Sequence, residues 1–434
     1  MKILALLGTA SLGAATSLGA LRAPQAPCST DLASTSSGGE LSNGYSDGPS
    51  LSWRGRYLAY ASVASNLTPE LDDNEENDVF VLDRLSGQVQ LVSQNALGEV
   101  GSGSSSNPSI SADGRFVAFV SEAVNLLPAD TDSRSDIYVA DTWTGTLRLV
   151  SVDSAGVKSN GFCEEPRISA DGSRVCFSSD ASNLALGDTG FDADVFAHDL
   201  NTGVTVMASR GPGGVEGDDE SFFPWLSGDG RYLVFESTAT NLVPGGTDGT
   251  ALVFLRDLQD GSTRVVSRGL GGNEPSDDCY SPVISADGNR VAYLSFAGDI
   301  VPGDANGQAD VFVWTRATQA TVRASVSSLG AEANDESMGP SLSADGSLVA
   351  FSSLASNLAP GDANGNFDVF VHALATGSTS RVSLGVQPSG PVGASVFPAI
   401  APRAHTIAFH GSTDDVVPGD DNGVPDIFVA SCRN

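Results

Sequence analysis

The stretch PSISADGRFVAFVS, residues 108–121, decides the fold, because the chain keeps returning to it. Its proline recurs as Pro49, Pro108, Pro166, Pro224, Pro282, Pro340 and Pro398, at an interval of 59 residues and then of 58 five times over. A near-constant spacing along almost the whole chain marks a repeat architecture, in which each copy is one supersecondary unit. After the proline, SIS runs into ADG, whose glycine suits a chain reversal, and RFVAFVS returns as the second strand of a hairpin, A to B. Along strand B, Phe116, Ala118 and Val120 face one side while Val117 and Phe119 face the other. A strand apolar on both faces is buried on both, between neighbouring sheets. The loop NLLPADTDSRSD follows, then strand C in DIYVAD (136–141), a Thr-Gly turn, and strand D in TLRLVSV (146–152).

Each copy is thus a four-stranded antiparallel meander that cannot bury its faces alone. About seven such sheets close into a ring, so the expected fold is all-β, a seven-bladed β-propeller. An open solenoid would need polar capping repeats, and neither terminal copy reads as one. The seventh copy stops after strand C at DIFVASCRN (426–434), and TDLAST (30–35) occupies the register of LRLVSV (147–152) relative to the next proline. The N-terminal arm is therefore expected to complete the last blade. In that register Cys28 aligns with Gly145 and Cys432 with Thr142, the two sides of a C–D turn, close enough for a disulfide across the closure. Tying the chain ends together contributes about 4 kcal/mol on a chain-entropy model.

Composition narrows the function. Of 434 residues 53 are acidic and 22 basic, for a formal net charge of −31. That balance disfavours nucleic acid and anionic membrane surfaces, both of which attract basic patches. Residues 1–20, MKILALLGTASLGAATSLGA, read as a secretory signal peptide with a short, diluted apolar core; no other segment is expected to insert in a membrane. The expected product is a secreted or periplasmic monomer with its propeller over residues 28–434, and export suits a disulfide. Cys176 aligns with Ala118 and should be a buried strand residue, while Cys163 and Cys279 lie two blades apart and are expected to be free, partly buried thiols.

The motif S-A-D-G-R-x-V-A-F (Ser111–Phe119), repeated as SADGNRVAY from Ser285 and SADGSLVAF from Ser343, together with D-V-F-V or D-I-Y-V leading strand C, resembles the TolB-like, WD40-like propeller repeat family. The resemblance covers roughly residues 28–434 and implies the fold more than a function, since such propellers serve as binding scaffolds, as gating domains beside peptidases and occasionally as polysaccharide lyases. TolB itself has six blades and an added N-terminal domain, so its envelope role does not carry over.

The B–C loop repeats D-x-[DN]-x-x-x-D: Asp72/Asn74/Asp78, Asp130/Asp132/Asp136, Asp304/Asn306/Asp310, Asp362/Asn364/Asp368 and Asp420/Asn422/Asp426. Three oxygen-bearing side chains at this spacing can wrap a hard cation such as calcium. The loop resembles the later half of integrin-type calcium loops, with a proline such as Pro302 where their first acidic ligand stands. The alternative is structural, because Asn-Gly and Asp-Gly form turns unaided and an aspartate can hydrogen-bond loop amides. Blade three keeps Asp188 and Asp194 around Gly190, and blade four, with Gly246 and Leu252, is not expected to bind.

The B–C and D–A loops should share one face, with the two residues before each proline around the channel mouth. These positions vary most. They contribute Glu164, Glu165, Phe222, Phe223, Tyr280, Met338 and Phe397, with Trp225 just past its proline. Aromatic and Met residues at a concave mouth suit a protein, peptide or glycan ligand, unless they turn inward as a plug. Catalytic constellations are poor. His198 and His372 share a strand C position read as a blade edge, His405 stands near a turn, and GYSDG (44–48) precedes a strand rather than joining strand to helix. Two functions remain: a secreted binding or scaffold module with an acidic, partly aromatic loop face that calcium can brace, or a propeller-type polysaccharide lyase or hydrolase.

Overall fold

The computed structural model describes residues 28–432 apart from 70, 71, 73, 388, 389 and 404, so the signal segment at 1–20 lies outside the described residues. Seven four-stranded antiparallel sheets follow one another in sequence order. Blade two shows the pattern, with strand A at Ser105–Ile110, B at Phe116–Ser121, C at Asp136–Asp141 and D at Thr146–Leu149. Strand A begins three residues ahead of the proline rather than at it. The reason is a bulge: pairing with strand B skips from Ser106 to Ser109. Every strand A carries this bulge at the proline. Proline has no N–H to offer a ladder, so a bulge on the innermost strand is where it costs least.

The residue before each proline has left-handed backbone: Gly48, Asn107, Glu165, Phe223, Ser281, Gly339 and Phe397 have φ between 49° and 61°. Proline disfavours the right-handed helical region for its predecessor, and the bulge drives it left-handed even where a phenylalanine occupies the place.

The two-faced strand B packs as its sequence demands. Ala118 and Val120 join a core with blade three, whereas Val117 and Phe119 join one with blade one. Seven such cores fill the seven interfaces, the last between blades seven and one. Within each blade one aromatic pair from strands B and C stacks, from Tyr60–Phe80 to Phe409–Phe428, with centroids 5.6–5.9 Å apart. The A–B turns are linked head to tail by backbone bonds, Trp53 to Ala112, Ala112 to Ala170, and so round to Arg403 and Trp53. In the turn itself, Ser111 Oγ donates to Asp113 (2.6 Å) and accepts the Phe116 N–H (2.9 Å), which accounts for the S-x-D-G signature.

Blade seven is closed by the N-terminal arm. Ser29–Leu32 pairs antiparallel with Asp426–Ser431, and Cys28 is bonded to Cys432. Cys163, Cys176 and Cys279 are free; Cys163 and Cys279 are fully rather than partly buried, because their strand A position faces the serine of strand B inside the blade. No helix among the described residues is long and apolar enough to cross a membrane.

Candidate functional site

Two regions carry the chemistry: the loop face and the central channel. On the loop face, the aspartate leading strand C is built into its blade. Asp78, Asp136, Asp194 and Asp368 each accept a hydrogen bond from a strand D or post-D serine at 2.5–2.6 Å. Ser325 donates likewise to Asp310, and Ser34 from the N-terminal arm to Asp426. The loop asparagines are also committed. Asn74, Asn306, Asn364 and Asn422 donate to the second oxygen of that aspartate (2.8–3.0 Å) and to a carbonyl of the D–A loop (2.8–3.1 Å). Their own carbonyls accept the N–H two residues on. The motif is therefore a clamp between the B–C and D–A loops, whatever else it does.

Three blades place a cationic side chain among the acids. In blade two the Lys158 ammonium bridges Asp130, Asp132 (2.9 Å) and Asp136 (2.8 Å). Burial works against its charge, yet the three carboxylates hold its pKa above the ordinary lysine value. In blade five Arg323 reaches Asp304 (3.2 Å), Asp310 (3.3 Å) and Glu332 (2.5 Å), and in blade six Arg381 reaches Asp362 (3.5 Å) and Asp368 (3.3 Å). Neither the lysine, in a D–A loop, nor the arginines, on strand D, belong to the aspartate motif, which is why reading the motif alone missed them.

Blade seven differs. Leu32 and Leu41 hold the positions that Arg323 and Lys158 fill elsewhere, and both carboxylate oxygens of the buried Asp420 lack a hydrogen-bond partner. Burial, then the nearby Asp426, Asp414 and Asp421, push its pKa up to about 7. Blade one pairs Asp72 with Asp78, whose pKa burial raises to about 7 despite donors from Ser93 and Asn74. In blade three Asp188, Asp194 and Glu216 bring one oxygen each within 4.8 Å of one another, a grouping with the right donors for a hard cation. The motif search passed over it because its third acid, Glu216, comes from the D–A loop.

The ring of residues before the prolines is only partly at the channel. Among the expected ligand residues, Trp225 and Phe397 line it. Phe223 is exposed, Phe222 and Met338 are half-buried, and Glu164 is exposed. Tyr280 donates its hydroxyl to Asp278 (2.7 Å), and Glu165 accepts the Phe223 N–H (2.6 Å) and the Ser178 hydroxyl (3.1 Å). Among the exposed apolar groups that motif reading missed, Phe162, Leu186 and Phe191 fall together in the loops of blade three. His198 and His372 are not at a blade edge but buried, with Nδ1 against Thr205 (2.8 Å) and Thr379 (2.9 Å), because strand D covers that position.

The class these features define is a closed seven-bladed β-propeller. No family model and no curated protein sequence matches the chain. Among solved structures it is similar to the propeller domain of the trilobed protease from Pyrococcus furiosus, at 11% identity and TM-score 0.54, covering 89% of this chain and 95% of that one. That domain is described as having an open velcro topology, whereas here the N-terminal strand closes the ring. A prolyl endopeptidase is similar at 15% identity and TM-score 0.53, over 93% of this chain but 51% of that one. TolB from Acinetobacter baumannii is similar at 18% identity and TM-score 0.40, and the chain spans 58% of its length. At these identities the likeness is one of fold.

Proposed function

We propose that the protein is an exported binding module that presents its acidic loop face to a protein, peptide or glycan. The observation carrying this is a set of apolar side chains left open to solvent on that face: Leu186 is 97% exposed, Phe191 84%, Phe162 52% and Phe223 44%. Single exposed apolar side chains are ordinary; the reading rests on their gathering in the loops of blade three and the adjoining strand of blade four. Export rests on residues 1–20 and on a disulfide that suits an oxidising compartment. Calcium braces the face where no lysine or arginine already sits among the acids, above all at Asp420 and Asp426.

The test pans a peptide-display library and a glycan array with the wild-type protein and with a Leu186→Ser/Phe191→Ser/Phe223→Ser variant. Ligands selected by the wild type should lose about tenfold or more in affinity to the variant, the loss typical of interface anchors. Equal signals from both proteins would remove the loop-face assignment. Cleavage of an acidic polysaccharide by the wild type would favour the lyase or hydrolase reading instead.

A further inference from the structure

We propose that the central channel is a separate binding site for a small organic acid, whose carboxylate is taken by Arg167 on the face of Trp225. The channel encloses a cavity of about 580 Å³, within the range of small-molecule sites. Its wall is uncharged except at two points. Arg167 is its one cationic residue among the described residues, and Asp47 its one carboxylate. No ion pair joins the two.

Arg167 is short of acceptors. It follows the repeat proline, where other blades carry Ser50, Ser109, Val283, Ser341 or Ala399. Its guanidinium lies 4.7 Å from the centre of the Trp225 ring on the next blade, which fixes its plane. One side-chain hydrogen bond is made, from Nη1 to the carbonyl of the preceding Pro166 (3.0 Å), out of five N–H donors. Glu165, next to it in the chain, gives one carboxylate oxygen, Oε2, to Phe223 and Ser178, and no ion pair joins it to Arg167 among the described residues. Burial works against the guanidinium's charge and Glu165 offsets it only in part. A half-buried guanidinium with donors open to the channel and few protein acceptors gains from an incoming carboxylate, which can bind in two-pronged fashion.

The bulges offer matching donors. In two of the blades the fold docks its own carboxylate there: Glu165 on the Phe223 N–H (2.6 Å) and Glu236 on the Ser281 N–H (2.7 Å). Asn107, Gly339 and Phe397 line the channel with the same left-handed backbone. Asp47 sets the ligand's other end, since it repels a second negative charge. A monoacid with a hydroxylated body, facing Ser50, Ser109 and Ser341, fits the wall.

The experiment is calorimetric titration of the full protein with glucuronate, its neutral methyl ester, and citrate. Glucuronate should bind with millimolar affinity or better, the ester and citrate at least about tenfold more weakly. Arg167→Gln should lose glucuronate binding, and Arg167→Lys should retain part of it, the two together guarding against misfolding. The loop variant Leu186→Ser/Phe191→Ser, which leaves the bulges untouched, should bind glucuronate as the wild type does, so the channel stands or falls apart from the loop face. Equal binding of acid and ester, unchanged binding by Arg167→Gln, or no heat with glucuronate at about 10 mM would overturn the assignment.

Discussion

Glu236 faces the bulge of the next blade, where it accepts the Ser281 N–H at 2.7 Å. Burial, with Glu165 and Asp278 nearby, raises its pKa to about 7. The folded state then holds this proton more tightly than the unfolded chain does. Stability from the group is present in full below about pH 4.5, the unfolded value, and is lost as pH rises through about 7. Asp78, Asp194 and Asp420 are raised to about 7 in the same direction, so the wild type should melt higher at pH 5 than at pH 8. Glu236→Gln keeps a carbonyl for Ser281 and removes one charge. It should melt at or above the wild type at pH 8 and match it at pH 4, as followed by thermal denaturation across that range. A wild-type melting temperature that climbs from pH 5 to pH 8 would contradict this.

Among elements, the B–C loop is the informative one, because one motif serves two electrostatic solutions. Blades two, five and six neutralise their acids with Lys158, Arg323 and Arg381, whereas Asp420 in blade seven has no such partner. Lys158→Met leaves the buried Asp130 and Asp136 without a counter-charge, while the more exposed Asp132 keeps only Arg134 (3.1 Å). Removing one partner of a buried ion cluster costs about 3 kcal/mol, to be read from urea denaturation in chelator. Added calcium should then raise the variant's melting temperature more than the wild type's. An equal calcium response in both proteins would show that the loop is a polar clamp and not a latent cation site. The clamp itself was legible only as a spacing: Asp130 and Asp136 stand out in the chain, but Lys158 lies in another loop, and only the fold brings it to them.

At the scale of the whole molecule, the ring has one covalent closure and seven non-covalent interfaces. Opening blade seven would expose Phe409 and Phe428, both fully buried, and free the strand at Ser29–Leu32. Cys28→Ser/Cys432→Ser should lose about 2–4 kcal/mol in urea denaturation, with native near-ultraviolet dichroism retained in water, since the blade interfaces survive. An unchanged midpoint would mean that strand pairing alone holds the seam. The channel at the centre belongs to this scale too, because no single blade contains it.

The sequence by itself determined the repeat, the two-faced strand B, the missing seventh strand D and the cysteine pair at the seam. These follow from local periodicity and from counting along a repeat, both of which are linear properties. It did not determine which acids meet a lysine, which aromatic side chains stay in solvent, or that Arg167 lies on Trp225 at the wall of a channel. Those depend on contacts between residues from under half a repeat to a whole repeat apart, where a position has the same register in every copy but a different neighbour. The repeat proline shows both sides. Its spacing announced the propeller, and only the folded ring made it a bulge whose left-handed predecessor turns the chain at the channel.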